Sequence, residues 1–287
     1  MNAHATLAKS PAVASVHPLH SAARAPSGDI PVVNWLGEPV NCAGCTHGQT
    51  RTELGCEPGH SCMEDVYARR IDRFFHQHPE LAQQHLQHAY FEVRAIAARH
   101  VDLFHLNGLR SDPDETVRMQ VALRLPPRLL ATMCDDPHRE VRIRVAQRLD
   151  DEHLSRMLRD DDYQVRSIIA KRLPLALLPL LAADRDEQVR CVVAERLDMP
   201  GLWRLATDAS PTVRRIVAER VPAPLLGQLA ADSDWGVRWQ VAQRADLATQ
   251  AALLRTLATD PDPEVRALAD ERLAPSLPPL HEVFRHG

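Results

Sequence analysis

The sequence predicts an all-α solenoid with a small cysteine-rich unit at its head. Three observations point there. The dipeptide Val-Arg recurs at 93, 117, 141, 165, 189, 213 and 237, each 24 residues after the last, and once more at 265 after a step of 28. Within each copy, apolar residues fall at helical spacing. Four of the six cysteines crowd into residues 42–62. Repetition at a fixed short period marks a solenoid, where each unit buries its apolar face only against its neighbours.

Composition agrees. Hydrophobic residues make up 45% of the 287 residues but aromatics only 4%, so the core must be built from Leu, Val, Ile and Ala in thin helical layers. The net charge of −4 argues against a polyanion binder. All basic residues except Lys9 and Lys171 are arginine, the residue of fixed, bidentate pairing, although a GC-rich genome would bias codons the same way. No run of about 18 apolar residues is present, so no membrane span is expected. Residues 1–30 lack the pattern of a secretory signal. A cytoplasmic, reduced protein is the expectation, and there a cysteine cluster points to a metal centre before disulfides.

In chain order, residues 1–34, rich in Ala, Ser, His and Pro, read as a loosely ordered tail. Residues 35–65 hold Cys42-x2-Cys45-x10-Cys56-x5-Cys62. Gly44 is expected to let the first pair fold back on one centre, and Gly48, Gly55, Pro58 and Gly59 keep the segment turn-rich. Such a loop buries little apolar area, so a metal would organise it, its binding energy serving as folding energy. A structural zinc and a [4Fe–4S] cluster both need four thiolates. A second tight CxxC pair, usual for zinc, is missing, which counts against zinc without excluding it. His47 and His60 read as solvated loop histidines. Residues 66–89 read as a helical cap with an apolar face of Tyr67, Phe74 and Phe75, and with His76, His78, His85 and His88 on a solvated surface.

Residues 90–275 form eight repeats. With each Val counted as zero, positions four, five and eight are apolar, position five being Ala in seven copies. These positions make one stripe on a helix of about three turns. Three residues before the Val stands an N-cap type in most copies: Asp114, Asp162, Asp186, Ser210, Asp234 and Asp262. The second half, as in Pro174 with Leu177, Leu178 and Leu181, is short, and a 3₁₀ turn fits the space. The extra four residues of the last interval lie near Ala245–Leu253. No segment alternates as a strand would.

Two charged rows run along the array. Position one is Arg in every copy, including Arg118, Arg142, Arg166, Arg190, Arg214 and Arg238, and it lies inside the apolar stripe. Position minus five is Asp in seven copies, including Asp112, Asp136, Asp160, Asp184, Asp208 and Asp232. An unpaired buried guanidinium is very costly, so each Arg is expected to be tied to an Asp of its own or an adjacent repeat. The second row is Arg124, Arg148, Arg172, Arg196, Arg220 and Arg244, at position seven. A cation there suits the end of its own helix. This row is also the candidate binding surface, and its members are expected to be dispensable for stability. Residues 276–287, with Phe284, read as a C-terminal cap. Cys134 and Cys191 read as small core residues.

The 24-residue unit, as in DRDEQVRCVVAERLDMPGLWRLAT, resembles the leucine-rich repeat variant family. The four-cysteine stretch ahead of it resembles that family's iron–sulfur domain, and the two likenesses cover about residues 40–275. The resemblance implies alternating α- and 3₁₀-helices in a right-handed superhelix. It also implies a [4Fe–4S] cluster on Cys42, Cys45, Cys56 and Cys62. It implies no particular activity.

The sequence shows no glycine-rich phosphate loop, nucleophile elbow or HExxH pattern, so an enzyme is not expected. A curved array of repeats by default holds another macromolecule. The leading expectation is a scaffold for a protein partner that carries a redox- or oxygen-responsive cluster. The alternatives are an electron-transfer protein or enzyme component, and nucleic-acid binding by the concave face.

Overall fold

The structure is a computed structural model that describes residues 30–274. The expected tail up to residue 29 and the expected C-terminal cap lie outside the described residues. The chain divides into two compact units, with the boundary after Pro79. The first helix, Ala68–Gln77, therefore falls in the same unit as the cysteines, not in a separate 66–89 segment.

The second unit is helical throughout, with no strand among its described residues. Its long helices are Phe91–His100, Glu115–Arg124, Arg139–Arg148, Tyr163–Arg172, Glu187–Arg196, Pro211–Arg220, Trp235–Arg244 and Pro263–Leu273. Each packs against the next. Between them run short segments that contain 3₁₀ helix in the first six intervals, such as Asp151–Met157 and Ala223–Leu229. The prolines explain the break. Pro126, Pro174 and Pro222 follow the last helical turn, where proline cannot continue an α-helix. In the seventh interval the four extra residues lengthen this segment into an α-helix, Leu247–Leu257, kinked at Gln250 (φ −127°, ψ 25°). The Gln250 amide donates to the Ala223 carbonyl at 2.7 Å, which holds the kink against the preceding segment.

The apolar stripe is the core. Val at position zero is fully buried in all eight copies, as are the residues at positions four and five of the helices from Glu115 to Arg244. Each such Val or Ile contributes about 1.5–3 kcal/mol relative to exposure, and the alanines at position five leave room for neighbouring helices. Helix starts follow the N-cap pattern in part. Asp114, Asp162, Asp186, Asp234 and Asp262 accept from free first-turn N–H groups. Ser210 does not: its Oγ is buried without a hydrogen-bond partner.

The first arginine row forms one repeated clamp. Arg118 gives Nε and Nη2 to the Asp136 carboxylate at 2.7 and 3.1 Å, and Nη1 to the Asp112 carbonyl at 2.7 Å. The same bidentate pair recurs as Arg94–Asp112, Arg142–Asp160, Arg166–Asp184, Arg190–Asp208, Arg214–Asp232 and Arg238–Asp260. Each guanidinium thus holds the carboxylate of the next repeat and the backbone of its own. Each Asp also accepts the N–H two residues on, as from Asp114 to Asp112 at 2.9 Å, which shapes the turn into the helix.

The second row also points inward, but not to its own helix end. Arg124 Nη1 donates to the carbonyls of Ala98 and Val101 at 2.7 and 2.6 Å, one repeat back. Arg148 reaches Ala122, Arg172 reaches Ala146, Arg196 reaches Ala170, Arg220 reaches Ala194 and Arg244 reaches Ala218 in the same way. These carbonyls belong to the last turn of the preceding helix, where intrahelical donors run out. The row offered as a binding surface is therefore engaged in capping the previous repeat.

The carboxylates of the ladder tie stability to pH. Burial works to raise the Asp184, Asp208 and Asp232 carboxyls, but the paired arginine and the nearby backbone N–H outweigh it and hold them below the ordinary range. At Asp260 the Arg238 guanidinium is the leading cause of the same lowering. A carboxyl depressed in the folded state stabilises the fold above its unfolded pKa of about 3.9, and that contribution disappears as pH falls through the lower folded value. The urea midpoint of the array should accordingly stay level from about pH 7 to pH 5 and drop steeply below about pH 4. A midpoint that stays level to pH 2 would contradict this linkage.

Candidate metal centre

The four clustered cysteines line one small cavity, together with Val40, His47, Gly48, Arg51 and Glu64. Cys42, Cys45 and Cys56 are half-buried, Cys62 is buried, and none of the six cysteines forms a disulfide. Local turns bring them together. Asn41 Oδ1 accepts the Ala43 N–H at 3.0 Å and starts the turn that carries Cys42 and Cys45. The His47 N–H then points at Cys45 Sγ, 3.4 Å away. Glu57 and Ser61 exchange two backbone hydrogen bonds of 2.8 Å around Pro58-Gly59-His60. That bridge explains the five-residue spacing, because it sets Cys56 and Cys62 side by side at the ends of a tight reversal.

Gly48, not Gly44, is the glycine the turn requires. A Cβ at position 48 would overlap the Cys42 carbonyl oxygen and press on that of Cys45 at 3.1 Å, whereas one at position 44 would meet nothing nearer than Asn41 Nδ2 at 3.4 Å. The helix Ala68–Gln77 supports the loop from one side. Its Phe74 ring lies 5.5 Å from His47 and 5.3 Å from His78. Arg70 is buried against Asp65 at 3.0 Å and donates to the carbonyls of Ile30 and Pro31, drawing the start of the described chain onto this unit.

Comparison with known proteins places this arrangement. The family described as "LRV protein FeS4 cluster" matches residues 32–84, and "Leucine rich repeat variant" matches residues 211–234. A solved structure, "A leucine-rich repeat variant with a novel repetitive protein structural motif", is 41% identical in sequence. It superposes with a TM-score of 0.75 over 82% of this chain and 99% of its own. This chain belongs to the leucine-rich repeat variant family. An "uncharacterized 27.7 kDa protein in nifB 3'region" of Rhodobacter capsulatus is 43% identical over 101 residues, 35% of this chain. That match spans only 41% of the relative's length.

As a leucine-rich repeat variant protein with an FeS4 cluster domain, the chain has a donor set that fits such a group. Four thiols border one cavity, and two backbone N–H groups, from His47 and Glu64, are directed at the sulfurs of Cys45 and Cys62. Hydrogen bonds of this kind stabilise thiolate ligands of an iron–sulfur centre and tune its potential. The hydrogen bond between Cys56 and Cys62 lowers the Cys56 pKa and, with burial, raises that of Cys62. Metal ligation requires thiolates, so assembly releases protons.

The remaining candidate residues fall differently from the expectation. His47 is buried, 7% exposed, and desolvation pushes its pKa down; it is a wall of the cavity and not a solvated loop residue. His78 hydrogen-bonds the Leu54 carbonyl at 2.6 Å, and His85 is buried at 6% exposure; of the four cap histidines His76 is exposed. Cys134 is buried and Cys191 half-buried, both with thiol pKa raised by burial, as core residues would be. Sequence reasoning missed Asp65 and Arg70, whose only signal was opposite charge at five-residue separation on a segment read as amphipathic.

Proposed function

We propose that the four cysteines hold a [4Fe–4S] cluster and that the repeat array is a scaffold for a protein partner, with the cluster as its redox- or oxygen-responsive element. The observation that carries this reading is the convergence of all four thiols on one cavity in the first unit, which precedes an internally clamped array in the sequence. When bound, the cluster supplies one-electron exchange. The protein's part is to hold residues 42–62 closed around it through the thiolates and the two N–H groups.

The array's surface suits a protein better than a nucleic acid. Both arginine rows are directed at carboxylates and carbonyls, while Leu175, Leu177 and Leu180 on a short segment are exposed at 49, 41 and 64%. Arginines engaged in this way are not displayed for phosphates. Electron transfer is the second reading, favoured by the half-burial of Cys42, Cys45 and Cys56, which leaves one side of the centre near solvent.

An anaerobic visible spectrum with iron and sulfide analysis tests the cofactor. Broad charge-transfer absorption with four irons and four sulfides per chain is expected from the cluster stoichiometry, and a colourless zinc-loaded protein would overturn it. Partner capture with oxidised, reduced and cluster-free protein tests the role. Equal capture in all three states would remove the responsive element, and rapid electron exchange with no captured partner would favour the second reading.

A further inference from the structure

Two charged side chains border the cysteine cavity, and they carry opposite signs. Glu64 follows Cys62 by two residues and is half-buried, and Arg51 lies between Cys45 and Cys56 and is exposed. Arg51 is fixed in place. Its Nε donates to the Cys56 carbonyl at 3.2 Å, while the Cys56 N–H returns to the Arg51 carbonyl at 3.0 Å, closing a small ring beside that ligand. The Glu64 side chain lines the same cavity as the four sulfurs. Its backbone N–H bonds Cys62, so side chain and main chain act on the centre from one residue with opposite electrostatic sense.

We infer that Glu64 and Arg51 set the reduction potential of the cluster: the Glu64 carboxylate holds it low, and the Arg51 guanidinium at the mouth raises it. This rests on the reading of the four cysteines as cluster ligands. Reduction adds one electron to the centre and changes no covalent bond of the protein. A fixed negative charge beside it disfavours that added charge, and a fixed positive charge favours it. The two effects differ in size for a physical reason. Glu64 is half-buried, where Coulomb interactions are less screened, while Arg51 is exposed to solvent and screened by salt. The balance makes Arg51 the adjustable member: a partner docking at the mouth would desolvate it and shift the potential without touching a ligand.

The test is a mediated redox titration of intact protein, followed by visible and EPR spectra, on wild type, Glu64→Gln and Arg51→Gln. Glu53→Gln, an exposed change outside the cavity, is the control. Glutamine at 64 keeps the N–H to Cys62 and the side-chain length. The expected midpoint shifts are upward for Glu64→Gln and downward and smaller for Arg51→Gln, with only the second fading at high salt. Iron and sulfide content is measured on each sample. Variants with a full cluster and the wild-type midpoint would overturn the inference, as would shifts of the same sign. Wild-type protein without iron and sulfide would overturn the cluster reading itself.

Discussion

Replacing Arg190 by methionine is expected to destabilise the repeat array by about 3–5 kcal/mol, the cost of stranding a buried charge. Asp208 is the charge left behind. Its side chain is 7% exposed and accepts both Nε and Nη2 of Arg190 at 2.8 and 2.9 Å. The Asp184 carbonyl loses its donor too. Adding Asp208→Leu should recover part of the loss, because an apolar pair removes the stranded carboxylate. Arg196→Met is the comparison. From the sequence this change was expected to matter little. The structure raises the expectation to about 1–2 kcal/mol, since Arg196 donates to the Ala170 carbonyl at a helix end. Urea unfolding of the three variants checks the order. An Arg190→Met midpoint equal to wild type would show that the ladder does not clamp the stack.

The second large effect is expected at Gly48. An alanine there drives its Cβ into the Cys42 carbonyl, so the turn that carries Cys42 and Cys45 must open. The Gly48 N–H, which bonds the Cys45 carbonyl at 2.9 Å, moves with it. Gly48→Ala protein should therefore retain only a small fraction of the wild-type iron and should lose the first unit's protection from proteolysis. Gly44→Ala, where the added methyl meets no atom closer than 3.4 Å, should load as wild type does. Equal iron in both variants would refute the geometric assignment.

These two cases show where the sequence was legible and where it was not. Period, helix face and the existence of two charged rows are properties of a one-dimensional string, because a helix maps sequence spacing directly onto a face. Partner choice is not. Arg118 meets Asp136, 18 residues on, and Arg124 meets Ala98, 26 residues back, because stacked helices place repeat neighbours at separations no local rule supplies. The same limit hid the form of the seventh interval, where four added residues turn the short segment into the α-helix Leu247–Leu257. In the cysteine unit the ligands stood out by type and spacing. The crowding that selects Gly48 over Gly44, the bridge between Glu57 and Ser61, and the burial of His47 and His85 depended on chain segments brought together in space.

By itself, then, the sequence determined a helical repeat of 24 residues, its buried valine stripe and a four-thiol unit at its head. All of these follow from local periodicity and from the chemistry of side-chain type. Only the tertiary structure decided which carboxylate and which carbonyl each arginine holds, and which side chains border the sulfurs. Those depend on the stacking of one repeat on the next and on the closing of one loop over another. There, an added Cβ that would meet its nearest atom at 2.0 Å marks the required glycine and one that would meet it at 3.4 Å the replaceable one.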